Sequence, residues 1–144
     1  MFKETLIEIY ERDLRKLIEE VNLYANESDL WAVEKNISNS AGNLCLHLVG
    51  NLNHFIGATL GNTGYVRRRD DEFALKNIPR EEIVAGIEEV IIIVKDVLTK
   101  LSVSDLEKDF PLEKNGRTVS TTHMLIHLLA HLAYHLGQVA LIKK

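Results

Sequence analysis

Several absences bound this 144-residue chain before any motif is read. A single cysteine, Cys45, leaves no partner for an internal disulfide and fits a reducing cytoplasm. No stretch reads as a convincing strand, and there is no internal repeat and no low-complexity tract. Met1 to Tyr10 carries three charges and no hydrophobic run of signal-peptide length, so no targeting signal is expected. Residues 118–142 hold no charge, yet Ser, Thr, His and Gln interrupt them too often for a spanning helix, and the segment reads as a core helix. Basic residues are outnumbered, with 17 Lys and Arg against 21 Asp and Glu, a formal net charge of −4 and a pI near 5.9. Neither nucleic acid nor an anionic membrane would be attracted as main partner. P-loop, dinucleotide fingerprint and nucleophile elbow are all missing.

What is present is helical periodicity in a chain of one-domain length, spanning residues 1–144. Leu6, Tyr10, Leu14, Leu17, Val21 and Tyr24 recur at intervals of three and four, one face of a first helix over 2–24. Glu8 with Arg12 and Glu11 with Arg15 lie on its solvated side. Residues 26–39 form a loop, in which Trp31 reads as a plug over one end of the fold, with a ligand platform as the alternative. Ser40 caps a second helix that runs to about Leu60 and stops at Gly61, Asn62 and Gly64. Its interior glycines, Gly42, Gly50 and Gly57, are unfavourable for a lone helix and allow another element or a ligand to come close.

A polar stretch over 65–77 follows, long enough to let the third helix run parallel to the second. Pro79 opens that third helix, whose seam is Ile83, Ile87, Val90, Val94, Val97 and Leu101. A connector over 102–118 leads to a fourth helix capped by Ser120. Four helices without strands predict an all-α four-helix bundle with a long crossover between helices two and three.

All six histidines fall in the second and fourth helices, in two segments without a charged residue. Burying neutral imidazoles costs free energy unless each finds a partner, and a metal is such a partner. His131 and His135, one turn apart, can chelate one ion, as can the equally spaced His123 with His127 and His127 with His131; the alternative is buried histidines that satisfy each other's hydrogen bonds. Catalytic sites of the zinc type take three protein ligands and keep an open position, so a third ligand should face the pair from the second helix. His47 is the leading candidate and His54 the rival. His54, His123 and His127 are not expected to converge on a second ion and read as core or pocket residues. Asn51 and Gln138 fall near the same stripe and are positioned to orient an imidazole or contact a bound species. The absence of any Glu-x-x-His motif argues against a di-iron carboxylate bundle.

The segments NSAGNLCLHLVGNLNHFIG over 39–57, TGYVRRRDDEF over 63–73 and HLAYHLGQ over 131–138 together resemble the DinB-like superfamily, in particular its small bacterial branch near the bacillithiol transferases. The resemblance covers nearly the whole chain in order. It implies an up-down-down-up bundle, a three-histidine metal site and a homodimer. Carried over residue by residue, it puts the ligands on His47, His131 and His135. Many relatives carry a glutamate between the paired histidines, where this chain has Leu132, Ala133 and Tyr134. The expected function is that of a divalent-metal-dependent enzyme, zinc or nickel foremost, which activates a thiol or water for transfer to, or hydrolysis of, a small-molecule substrate. A low-molecular-weight thiol is a second expected cofactor, with Arg67 or Arg69 binding its acidic groups unless Asp70, Asp71 or Glu72 claims them. The alternative is a non-catalytic metal or small-molecule binding protein of a stress response.

Overall fold

A computed structural model of the chain describes residues 1–33 and 36–142. The first apolar stripe forms α1 (Phe2–Asn22), burying Leu6, Tyr10, Leu14, Leu17 and Val21. On its outer side Arg15 pairs with Glu11 at 2.7 Å, and Glu11 also receives Lys95 at 3.1 Å. Arg12 takes its immediate neighbour Asp13 at 3.0 Å instead of the expected Glu8. A single 3-10 turn, Glu27–Trp31, buries Leu30 completely.

Helix α2 (Ala41–Leu52) starts where expected, with the Ser40 hydroxyl accepting from Asn43 N–H at 3.2 Å. It passes into a π-helical stretch, Asn53–Ala58, and a last turn, α3 (Thr59–Gly61). Such wide turns shift the phase of every later side chain and are frequent near functional sites. The helix stops at Asn62, whose φ of 51° is left-handed, and every non-glycine residue with positive φ among those described is an asparagine.

The polar crossover contains a short helix, α4 (Arg69–Ala74), followed by α5 (Arg80–Lys100), which buries Ile83, Ile87, Val90, Val94 and Val97 as expected, together with Ile91 and Leu98. The next connector holds α6 (Val103–Glu107), made by a reciprocal cap between Ser102 and Asp105. Last comes α7 (Thr121–Ile142), with Ser120 Oγ accepting from His123 N–H at 3.0 Å.

The fold is all-helical, and no strand occurs among the described residues beyond two isolated bridges, Asp109 with Ser120 and Lys114 with Arg117. Long-range polar anchors tie the long helices together. Tyr10 and Tyr24 on α1 donate to the Leu125 and Val139 carbonyls of α7 at 2.6 and 2.7 Å. Lys3 reaches the Thr99 and Leu101 carbonyls at the end of α5, and Arg80 at its start reaches the Tyr24 carbonyl at 2.6 Å. Helix α7 is long and apolar enough to cross a membrane by length and composition alone. Only 28% of its most apolar window is buried, so it is not the core helix that its lack of charge suggested; it packs one face against α1 and α2, compatible with a soluble protein.

Candidate metal centre

His47 projects from the buried side of α2 toward α7, where His131 and His135 stand one turn apart. One ring nitrogen from each of the three lies within 4.8 Å of the others, and no other group of this kind occurs among the described residues. The ring centres are 5.0 Å apart for His47 and His131, 5.4 Å for His47 and His135 and 4.5 Å for His131 and His135. The closest approach is His47 Nε2 to His131 Nε2 at 3.1 Å.

Two nitrogens held by one ion at about 2.0–2.1 Å stand about 2.9 Å apart at a right angle and about 3.3 Å apart at the tetrahedral angle, so the His47–His131 spacing is that of neighbouring ligands.

The outward nitrogens decide which way the rings present themselves. His47 Nδ1 donates to Glu72 Oε1 at 3.0 Å, and His135 Nδ1 donates to Gln138 Oε1 at 2.6 Å. With Nδ1 carrying the hydrogen, each Nε2 keeps its lone pair for an ion, the arrangement by which a carboxylate or amide orients a ligating imidazole. His131 Nδ1 is buried without a partner, as is Asn51 Oδ1. Burial holds the His47 and His131 imidazoles below the ordinary histidine pKa. For His131, with its two neighbouring rings adding to the effect, the value falls to about 4. All of this fits a nitrogen donor set that could hold a metal ion.

Glu72 is read in the sequence only as an ion-pair partner for Arg67 or Arg69, which misses its bond to His47. It sits on α4, is only 5% exposed, and besides His47 it takes Arg67 as a fork, Nε to Oε2 at 2.9 Å and Nη2 to Oε1 at 3.0 Å. The fork neutralises a carboxylate that would otherwise be costly to bury. Three devices bring it there. Gly50, one turn past His47, leaves the space: a Cβ at that position would lie 1.9 Å from Glu72 Oε2. Asn43 donates through Nδ2 to the Glu72 and Leu75 carbonyls at 2.9 and 2.8 Å, pinning α4 against α2. Phe73 then lies against His47, ring centres 5.0 Å apart.

Of the other residues singled out in the sequence, Gln138 and Arg67 belong to the centre. Asn51 is buried on its wall but makes no hydrogen bond to any of the three rings. Trp31 packs elsewhere, its ring filling the space a Cβ on Gly42 would need, with ring carbons 2.8–2.9 Å from that position. His54 lies against Phe55, ring centres 4.7 Å apart, and His123 is exposed. Cys45 is fully buried in the core, which pushes its thiol up to about 12 and makes it inert as a nucleophile. A cleft of about 390 Å³ opens beside the centre, with His47, Asn51, Arg67 and His131 on its walls.

A family model described as a protein of unknown function, DUF1572, matches residues 3–144. The chain belongs to that family. A search of the curated proteins gives no match. Membership in DUF1572 therefore carries no activity with it, and the three histidines with their supports carry the functional argument.

Proposed function

We propose that this DUF1572 protein is a divalent-metal-dependent enzyme of the DinB-like type, acting on a small molecule in the cytoplasm. The observation that carries the reading is the paired orientation of His47 by Glu72 and of His135 by Gln138, with His131 Nε2 at 3.1 Å from its His47 counterpart. His47, His131 and His135 would hold the ion, zinc or nickel foremost. Such an ion supplies Lewis acidity that lowers the pKa of a thiol or water, which then serves as nucleophile for transfer or hydrolysis. Three neutral ligands leave the ion its full charge and an open side. His127 lines the cleft, exposed and without a hydrogen-bond partner among the described residues, and is placed to take a proton from an incoming nucleophile; partial burial, Lys114 and His123 lower its pKa. Glu72 is committed to His47 and Arg67 and acts by positioning.

The helical course is read as a four-helix bundle running up-down-down-up. Tyr10 with Leu125 and Tyr24 with Val139 share one offset of 115 residues, which supports α1 and α7 running the same way. Lys3 at the end of α5 and Arg80 at the end of α1 support opposite directions for those two. Val49 beside Gly86 and Gly57 beside Ile93 support α2 and α5 running in parallel. We also read the protein as a homodimer, supported by an exposed, charge-free stripe on α7 that is considered below.

The deciding experiment is elemental analysis of the purified full chain. About one ion per chain, lost in His131→Ala, is expected. Thiol-transfer and hydrolysis assays with and without metal then separate catalysis from storage: uptake without turnover would leave only a binding protein, and no uptake at all would remove both.

A further inference from the structure

The cleft beside the three histidines is more basic than the chain that builds it. Arg69 and Lys114 line it from the two connectors, and neither has an ion-pair partner among the described residues. Glu113 is the only carboxylate on the same walls among the described residues. In a protein of net charge −4, cations left uncommitted around one opening create a local field opposite in sign to the whole. Arg69 is also held in place: its guanidinium lies 5.3 Å from the Phe73 ring centre, and Phe73 in turn lies against His47. Lys114 is fixed by the bridge between its own backbone and Arg117, at 2.8 and 3.0 Å. Phe55, Met124 and Leu128 give the cleft its apolar lining, and Asn51, Asn115 and the imidazoles bring neutral polar groups to it.

We infer that this cleft binds a small anion, a carboxylate or phosphate ester with an apolar body, whose charged group is taken by Arg69 and Lys114 while its body lies over Phe55 and Leu128 toward His131. The volume, about 390 Å³, is at the lower end of small-molecule sites and suits a compact metabolite more than a peptide or nucleic acid. Arg67 is excluded from the anion's partners because Glu72 already occupies its fork. As the substrate class for the metal centre the inference rests on the function proposed above, but the binding itself needs only the cleft.

The test uses probes with and without the anionic group, phenylacetate against its near-isostere phenylacetamide and phenyl phosphate against phenol, titrated into the full chain with zinc and into metal-free His131→Ala. At least one anion should bind about tenfold tighter than its neutral counterpart, and that preference should shrink as salt is raised. Arg69→Ala and Lys114→Ala should each weaken anion binding, and the double variant should abolish the preference while keeping its zinc. Loss of the preference in the double variant but not in His131→Ala would support the cleft even if no metal were bound by the wild type. Equal binding of anion and neutral probe by the wild type, no binding of either anion, or a preference that survives in the double variant would overturn it.

Discussion

At the scale of single residues, the centre depends on which nitrogen of each ring carries its hydrogen. Glu72 settles this for His47, because a carboxylate can only accept, and Arg67 balances the charge. Glu72→Gln keeps the shape but removes the charge and brings an amide donor toward Arg67. Metal affinity should fall about 10- to 100-fold, read by competition with a chelating dye, while helix content stays constant. The buried imidazoles also predict acid behaviour. His131 titrates near 4 in the folded chain against 6.5 for the free side chain, so its neutral form is favoured by folding. Its contribution to stability is complete above about pH 6.5 and is lost as pH falls toward 4. Thermal melts of the metal-free protein should therefore fall over that window, and less steeply in His131→Gln; equal slopes in the two would dismiss the buried neutral ring as the cause.

At the scale of elements, α4 matters beyond its six residues. It is too short to hold its own shape, since helices of this length are marginal without tertiary support, so Asn43, Gly50 and Arg67 must position it. Gly50→Ala would drive a methyl into the Glu72 carboxylate, and the expected result is a loss of about 1–3 kcal/mol in stability together with weaker metal uptake. If Gly50→Ala melts and binds like the wild type, α4 does not position the centre. The long helices were legible because their signals are local: Ser40 and Ser120 as caps, the Leu6-to-Val21 stripe, the Ile83-to-Val97 seam. A histidine site was legible because all six histidines sit in charge-free segments where an imidazole needs a reason, but singling out His47, His131 and His135, with His54 as the rival, took the family resemblance. The role of Glu72 was not legible, because its burial depends on a helix 22 residues upstream, that is, on the non-local docking of Asn43 and Gly50. The signal that points to it is Gly50 itself, a notch three residues past a ligand histidine, with acidic residues waiting in the next polar segment. The π stretch at Asn53–Ala58 was also hidden, since apolar spacing does not distinguish one widened turn.

At the scale of the whole molecule, α7 has two working faces. One presents His131, His135 and Gln138 inward. The other leaves Ile126 48%, Tyr134 67% and Leu141 65% exposed, with Ala130, Ala133 and Gly137 between them, and no charged residue on the helix. Such a face costs solubility unless something covers it. Its pattern favours the proposed second copy: Ala130, Ala133 and Gly137 lie among the bulky Ile126, Tyr134 and Leu141, so two antiparallel α7 helices crossing near Ala133 would each seat large side chains beside the other's small ones, as a twofold interface requires. A membrane would accept the same stripe but would also have to accommodate the exposed His123 and His127 on the adjoining flank. Sedimentation of the full chain should accordingly give a dimer, and Ala133→Glu, which places two like charges at the crossing, should give a monomer with its metal retained, because residue 133 points away from the three ligands. A wild type that sediments as a monomer, or a dimer indifferent to Ala133→Glu, would leave the stripe to another occupant, and partition of the monomer onto lipid vesicles would identify that occupant as a membrane.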